Sequence, residues 1–169
     1  MSAIYSCASI ADASGNLLFY TNGTTVWDKT HNVMANGTGL FGNSGNELQG
    51  SIIIKQPGNT NLYYIFTTKA YWNSTIGFNY SIVDITLASG NGSVTVKNSN
   101  LYTGSTSDKL TATKHCNGND VWVVMRDWTY LTSSPGSFTF TPNFYSYLLT
   151  STGVSTVAVI SAANTYTNY

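Results

Sequence analysis

Gly58-Asn59-Thr60-Asn61-Leu62-Tyr63-Tyr64-Ile65-Phe66-Thr67 is a polar turn that feeds directly into a strongly apolar run. The same pattern stands at Ser14-Gly15-Asn16-Leu17-Leu18-Phe19-Tyr20-Thr21 and again at Asn117-Gly118-Asn119-Asp120-Val121-Trp122-Val123-Val124. Gly and Asn tolerate the positive φ of tight hairpins, while aromatic and β-branched residues fit a pleated surface. Apolar residues do not recur at helical spacing for more than a turn, so the chain reads as all-β. The run from Leu62 does not alternate, which is the pattern of a strand covered on both faces.

Further Gly and Asn punctuation at Asn22-Gly23, Asn36-Gly37, Gly90-Asn91-Gly92 and Thr152-Gly153 divides the rest of the chain. The first set of strands between these turns is predicted at Ala3–Ala11, Leu17–Thr21, Thr24–Asp28 and Asn32–Ala35. A second set is Ser51–Gln56, Leu62–Thr68, Phe78–Thr86 and Ser93–Lys97, and a third is Lys109–His115, Val121–Arg126, Phe144–Thr150 and Val154–Ile160. The second hairpin of a set also repeats: Tyr80-Ser81-Ile82-Val83-Asp84 leads to Gly92, and Tyr145-Ser146-Tyr147-Leu148-Leu149 leads to Gly153. Four strands recurring at this period are the signature of propeller blades, here 1–50, 51–108 and 109–169 of a single domain. Propellers close with about 4 to 8 blades. An open arc of three would leave two apolar faces wet, on the order of several hundred Å² each. Three solutions follow: a piece of a longer propeller, a ring closed by several copies, or a triangular β-prism like that of β-prism lectins.

The 169 residues are 42% hydrophobic and 14% aromatic, enough for a core, yet only 8% are charged, seven of each sign. An average soluble chain carries about 25% charge. Zero net charge supplies no footprint for nucleic acid or anionic lipid. Ser, Thr, Asn and Gly make up 77 residues, so hydroxyls and amides hold the surface in water, a composition common in exported β-proteins. No apolar run reaches the ~18 residues of a membrane-spanning helix. Met1–Cys7 has no basic region and is not read as a signal peptide, so an export signal would lie elsewhere or have been removed. Cys7 and Cys116 allow one bridge at most, and nothing in their spacing argues for pairing, so free or buried thiols are expected.

Several stretches, in order through residues 8 to 160, resemble the β-propeller region of Bacteroidetes surface proteins related to gliding motility and type IX secretion. They are Ala8-Ser9-Ile10-Ala11-Asp12 with Gly15 to Gly23, Val26-Trp27-Asp28, His31-Asn32-Val33-Met34 and Asn36-Gly37. Beyond these stand Leu62-Tyr63-Tyr64-Ile65-Phe66-Thr67, Tyr80 to Asp84, and Lys109-Leu110-Thr111-Ala112 with Lys114-His115-Cys116-Asn117-Gly118. The resemblance implies a seven-bladed propeller of which this chain is under half, and it implies no catalytic residues.

Chemistry is thinly supplied. With six Asp, one Glu and two His, converging carboxylates or a nucleophile with an oriented base are hard to assemble. Asp28 and Asp84 read as turn acceptors for backbone N–H groups. His115 and Cys116 sit at the mouth of a hairpin, where His bonds the loop and Cys packs as a small apolar group; no second metal ligand follows at i+2 to i+4. His31 reads as solvated. Asp12 to Asn16 and Asn117 to Asp120 read as plain turns rather than Ca²⁺ loops, for want of a following Glu. The five Asn-x-Ser/Thr sequons, at Asn22, Asn36, Asn73, Asn79 and Asn91, are expected by chance in so Ser/Thr-rich a chain.

Aromatic residues are the best functional lead, because sugar rings stack on exposed aromatics while amides bind their hydroxyls. Trp27 and Trp122 lie within predicted strands and are expected in the core. Trp72, Trp128 and Tyr130 fall in the long connections Lys69 to Gly77 and Asp127 to Asn143, where ligand or partner contacts concentrate. The reading that follows is a non-enzymatic extracellular or cell-surface module with no cofactor and no metal, serving adhesion, assembly or display. Its partners would be other protein chains or the remaining blades of a longer parent, and a complete chain would be a homo-oligomer. A carbohydrate-binding lectin is the alternative.

Overall fold

The computed structural model describes residues 6–42, 49–69, 76–127, 130–134, 137–140, 143–163 and 166–168, with side chains described outside 130–142 and 164–169. It is all-β, 60% strand and 3% helix, in sheets of barrel-like shape. β1 (Ala8–Ala11), β2 (Leu17–Thr21), β3 (Thr25–Asp28) and β4 (Val33–Thr38) form an antiparallel meander. A second is β5 (Ser51–Lys55), β6 (Leu62–Thr68), β7 (Phe78–Asp84) and β8 (Ser93–Tyr102). The third is β9 (Thr106–Lys114), β10 (Val121–Asp127), β13 (Asn143–Thr150) and β14 (Gly153–Val154). The three glycine turns drive this directly: Gly15, Gly58 and Gly118 each take a positive φ at the tip of a β1–β2, β5–β6 or β9–β10 hairpin.

Three separate four-stranded sheets are not what forms. β4 meets β8 in a parallel bridge at Ala35 and Ser93, so the first two meanders share one eight-stranded sheet, order β1-β2-β3-β4-β8-β7-β6-β5. Asn36 fastens that seam, its side chain donating to the Val94 carbonyl at 2.8 Å and accepting from Lys97 Nζ at 2.8 Å. The third meander gains β15 (Val159–Ala162) on β13 and becomes five-stranded. The single strand predicted at Val154–Ile160 is therefore two short ones, β14 and β15, that pair with opposite ends of β13. The connection from Asp127 to Asn143 holds a hairpin, β11 (Tyr130–Ser134) and β12 (Ser137–Phe140), which pairs with β16 (Tyr166–Asn168) as a third sheet. β-prone Tyr130-Leu131-Thr132 and alternating Phe138-Thr139-Phe140 carry the strand signal there, and a sequence reading centred on turns passes over it. α1 (Leu87–Gly90) is one turn in the β7–β8 connection, with Ala88 and Ser89 at φ of +50° and +57°.

Two apolar clusters hold the meanders together. Phe19, Val26 and Met34 of the first pack on Ile53, Tyr63, Ile65, Val83 and Val94 of the second. The opposite face of the second, Tyr64, Phe66 and Phe78, packs on Leu110, Val123, Met125, Tyr147 and Leu149 of the third. The middle meander is thus covered on both sides, which is why β6 has no polar alternation and is buried from Tyr63 to Thr68. Corresponding strands neighbour one another along the stack. β1 lies against β5 and β5 against β9, with Ser6 Oγ 3.3 Å from Ser51 Oγ and a parallel bridge from Gln49 to Lys109.

Candidate functional site

Since the middle meander uses both faces, the first and third each have a face turned away from it. On the first, register pairs Ser9 with Tyr20, Tyr20 with Trp27 and Trp27 with Val33, so these four residues form one row across all four strands. The Tyr20 and Trp27 rings stack at 5.6 Å and 12°. Tyr20 Oη and His31 Nδ1 share a hydrogen bond at 3.2 Å. His31 is held at φ +68° by the turn that Asp28 builds: Asp28 Oδ1 accepts from Thr30 N, Thr30 Oγ1 and Asn32 N at 2.8, 2.6 and 3.1 Å. Burial alone would raise the Asp28 carboxyl, but the Thr30 and Asn32 donors and the charge of His31 outweigh it and hold it below the usual carboxylate value. Beside Tyr20 runs a groove of about 480 Å³ lined by Cys7, Ala8, Ser9, Leu17, Tyr20, Thr21 and His31.

The outward face of the third meander is built by the same register logic. Trp122 stands opposite Leu148, Val124 opposite Ser146, Arg126 opposite Phe144, and Val159 opposite Ser146 on the other side. Trp122, Val124, Leu148, Phe144 and Val159 therefore share one side with Arg126 and Ser146, with Phe144 39% and Val159 57% exposed. His115 reaches over Trp122 with ring centroids 5.6 Å apart, as His31 does over Tyr20 on the first face. Trp27 and Trp122, expected in the core, are half-buried on these two outward faces. Each lies one residue out of phase with the core positions Val26 and Val123, and alternation turns it outward.

The other polar residues singled out from the sequence, Asp12, Asp84, Asp120 and His115, bond within turns. Asp12 accepts from Ser14 N, Asn16 N and Asn16 Nδ2 at 2.8–3.0 Å, and those donors, Asn16 foremost, lower its carboxyl. Asp84 Oδ1 binds Thr86 N and Oγ1, and Asp120 Oδ2 binds Asn117 Nδ2 at 2.7 Å. His115 Nδ1 accepts from Asn117 N at 3.1 Å and lies 3.7 Å from Cys116 Sγ. These are the turn roles that their sequence positions predict. Both cysteines are free, and Cys116 is exposed instead of packed, because the hairpin tip that carries it stands clear of the sheet. Among the described residues no group of three His, Cys, Asp or Glu is placed to hold a metal ion.

Trp72 and Trp128 lie outside the described residues, and Tyr130 opens β11 with its side chain outside them, so no geometry bears on these three. The sequence reading expects two open apolar faces but assigns Trp27 and Trp122, which lie on them, to the core. The signal was present in the odd-even phase of Tyr20, Trp27, Trp122 and Val124, but reading it requires knowing which side of each strand faces the middle meander. No family model, curated protein or solved structure matches the chain, and the reading of these faces rests on their own geometry.

Proposed function

We propose that the chain is a non-enzymatic interaction module, a stack of propeller-type blades that assembles with other protein through its two outward faces. One observation carries the reading: the middle meander buries apolar residues on both sides, whereas each of its neighbours, among the described residues, exposes apolar side chains on the side turned away from it. Val33 is 52% exposed on the first, and Phe144 and Val159 are exposed on the third. Like strands lie side by side and run parallel where they bridge. The neighbouring of β1, β5 and β9 supports a blade-like succession about an axis along those strands. The scarcity of charge fits a surface whose working energy is apolar burial, at roughly 25 cal/mol per Å². An extracellular or cell-surface setting for adhesion, assembly or display agrees with the Ser, Thr and Asn composition. Light scattering on the chain and on the double variant Val33→Glu/Phe144→Glu tests the reading. Association, or binding of a hydrophobic dye, that the double variant loses supports it. A chain that stays single and whose faces bind no dye overturns it.

A second reading, a carbohydrate-binding lectin, is favoured by the groove beside Tyr20, where one aromatic ring is backed by Trp27 and flanked by Ser9 and His31. Trp72, Trp128 and Tyr130 are further candidate contacts under that reading. Glycan-array binding abolished by Tyr20→Ala, Trp72→Ala or Trp128→Ala would establish it, and an array with no signal would dismiss it.

A further inference from the structure

We infer that the occupant of the two outward faces is a second copy of this chain, docked head to tail, the outward face of one copy's first meander on the outward face of the other's third. The inference rests on the assembly reading above and adds the partner and the polarity of the contact. Three observations carry it. Within the chain, β1 lies against β5 and β5 against β9, while β4 bridges β8 in parallel, so the relation between successive meanders is a repeated step and not a two-fold axis. A repeated step leaves two different ends, each the kind of surface that the other covers, which makes a contact of one end with itself the disfavoured geometry. The contact would also continue an interface the chain already makes twice: aromatic and aliphatic side chains of one meander pressed on those of the next, as in Phe19 against Tyr63 and Phe78 against Tyr147. Finally, neither end opposes the other by charge. The row Ser9, Tyr20, Trp27 and Val33 is uncharged, Trp122, Val124 and Leu148 at the other end are uncharged, and Arg126, opposite Phe144 on that same side, meets no like charge in the row. Two copies supply six meanders, within the range of about 4 to 8 at which propellers close, so the assembly ends at two chains instead of growing into a filament.

The test is sedimentation equilibrium on the wild-type chain, on Val33→Glu, on Phe144→Glu, and on an equimolar mixture of the two variants. Circular dichroism and thermal midpoints establish that each variant is folded. Val159→Glu replaces Phe144→Glu, and Val33→Lys replaces Val33→Glu, should either fail that check. The wild type is expected at twice the mass of one chain. Each variant alone lacks one half of every contact and is expected at the mass of a single chain. Their mixture retains one good first face and one good third face and is expected to recover the two-chain mass. A two-chain wild type whose Val33→Glu or Phe144→Glu variant alone keeps that mass overturns the head-to-tail contact and leaves the assembly reading standing. A wild type that grows into filaments, or that stays single while its faces still bind dye, overturns the second copy as the ring-closing partner and again spares that reading. A wild type that stays single with faces that bind no dye removes both.

Discussion

Tyr102 and Tyr145 face Asp127 at the end of the third meander, with Tyr147 beside Tyr145. Tyr102 and Tyr145 rings lie 4.8 Å apart, and Tyr147, buried, donates to the Leu101 carbonyl at 3.0 Å. Burial first, and then neighbouring tyrosines, push Tyr102 and Tyr147 up to about 12, with Asp127 adding to the shift at Tyr102. A group whose folded value is raised contributes stability in full below its unfolded value, near 10, and loses it as pH rises through the folded value. Alkaline destabilisation between about pH 10 and pH 12 is therefore expected. Ultraviolet titration should show at least these two tyrosines ionising late, and titration of all twelve near pH 10 in the folded chain would contradict the burial. Asp127 itself receives Asn143 N at 2.8 Å, Asn143 Nδ2 at 3.2 Å and Tyr145 Oη at 3.5 Å, closing the sheet where β10 leaves and β13 returns. Asp127→Ala strands those donors and should cost about 1–3 kcal/mol, read as a lowered urea midpoint, with Asp127→Asn costing less. The sequence marks Asp28, Asp84 and Asp120 as turn acceptors because their donors lie within a few positions. It could not mark Asp127, whose partners are 16 and 18 residues away.

At the scale of the element, the hairpins repeat because their turns do, but the seams between them are specific. Gly77 has φ +65°, and a Cβ there would strike the Tyr102 carbonyl, as β7 begins alongside the end of β8. Gly77→Ala is expected to destabilise by roughly 2 kcal/mol or more, combining positive-φ strain with a backbone clash, and thermal unfolding would measure it. Gly15 and Gly118 also have positive φ but open space around the missing Cβ. Alanine there should cost only about 1 kcal/mol, and equal costs at Gly77 and Gly15 would refute the distinction. Strand existence was legible here down to β2, β6 and β10, since each is a dense apolar run behind a Gly and Asn turn. Ends and extras were less so: β8 runs on to Tyr102 past a left-handed Asn98, and β11 and β12 occupy a stretch that reads as a connection.

Over the whole molecule the decisive asymmetry is between the doubly covered meander and its two neighbours. Phe66→Ala removes a side chain buried between the second and third meanders and should cost about 3–5 kcal/mol. Val33→Ala, on an open face, should stay within about 0.5 kcal/mol in the single chain. Denaturant midpoints of the two variants compare them directly, and similar losses would mean that Val33 is as enclosed as Phe66. From its sequence alone the protein had to be all-β, to turn at its Gly and Asn pairs, and to form successive antiparallel hairpins, because those depend on backbone propensity and on contacts between chain neighbours. Only the tertiary structure decided that β4 and β8 join two meanders into one sheet and that Trp27 and Trp122 face outward. Both follow from how the meanders lie against one another, through contacts between residues such as Ala35 and Ser93 that local pattern does not connect.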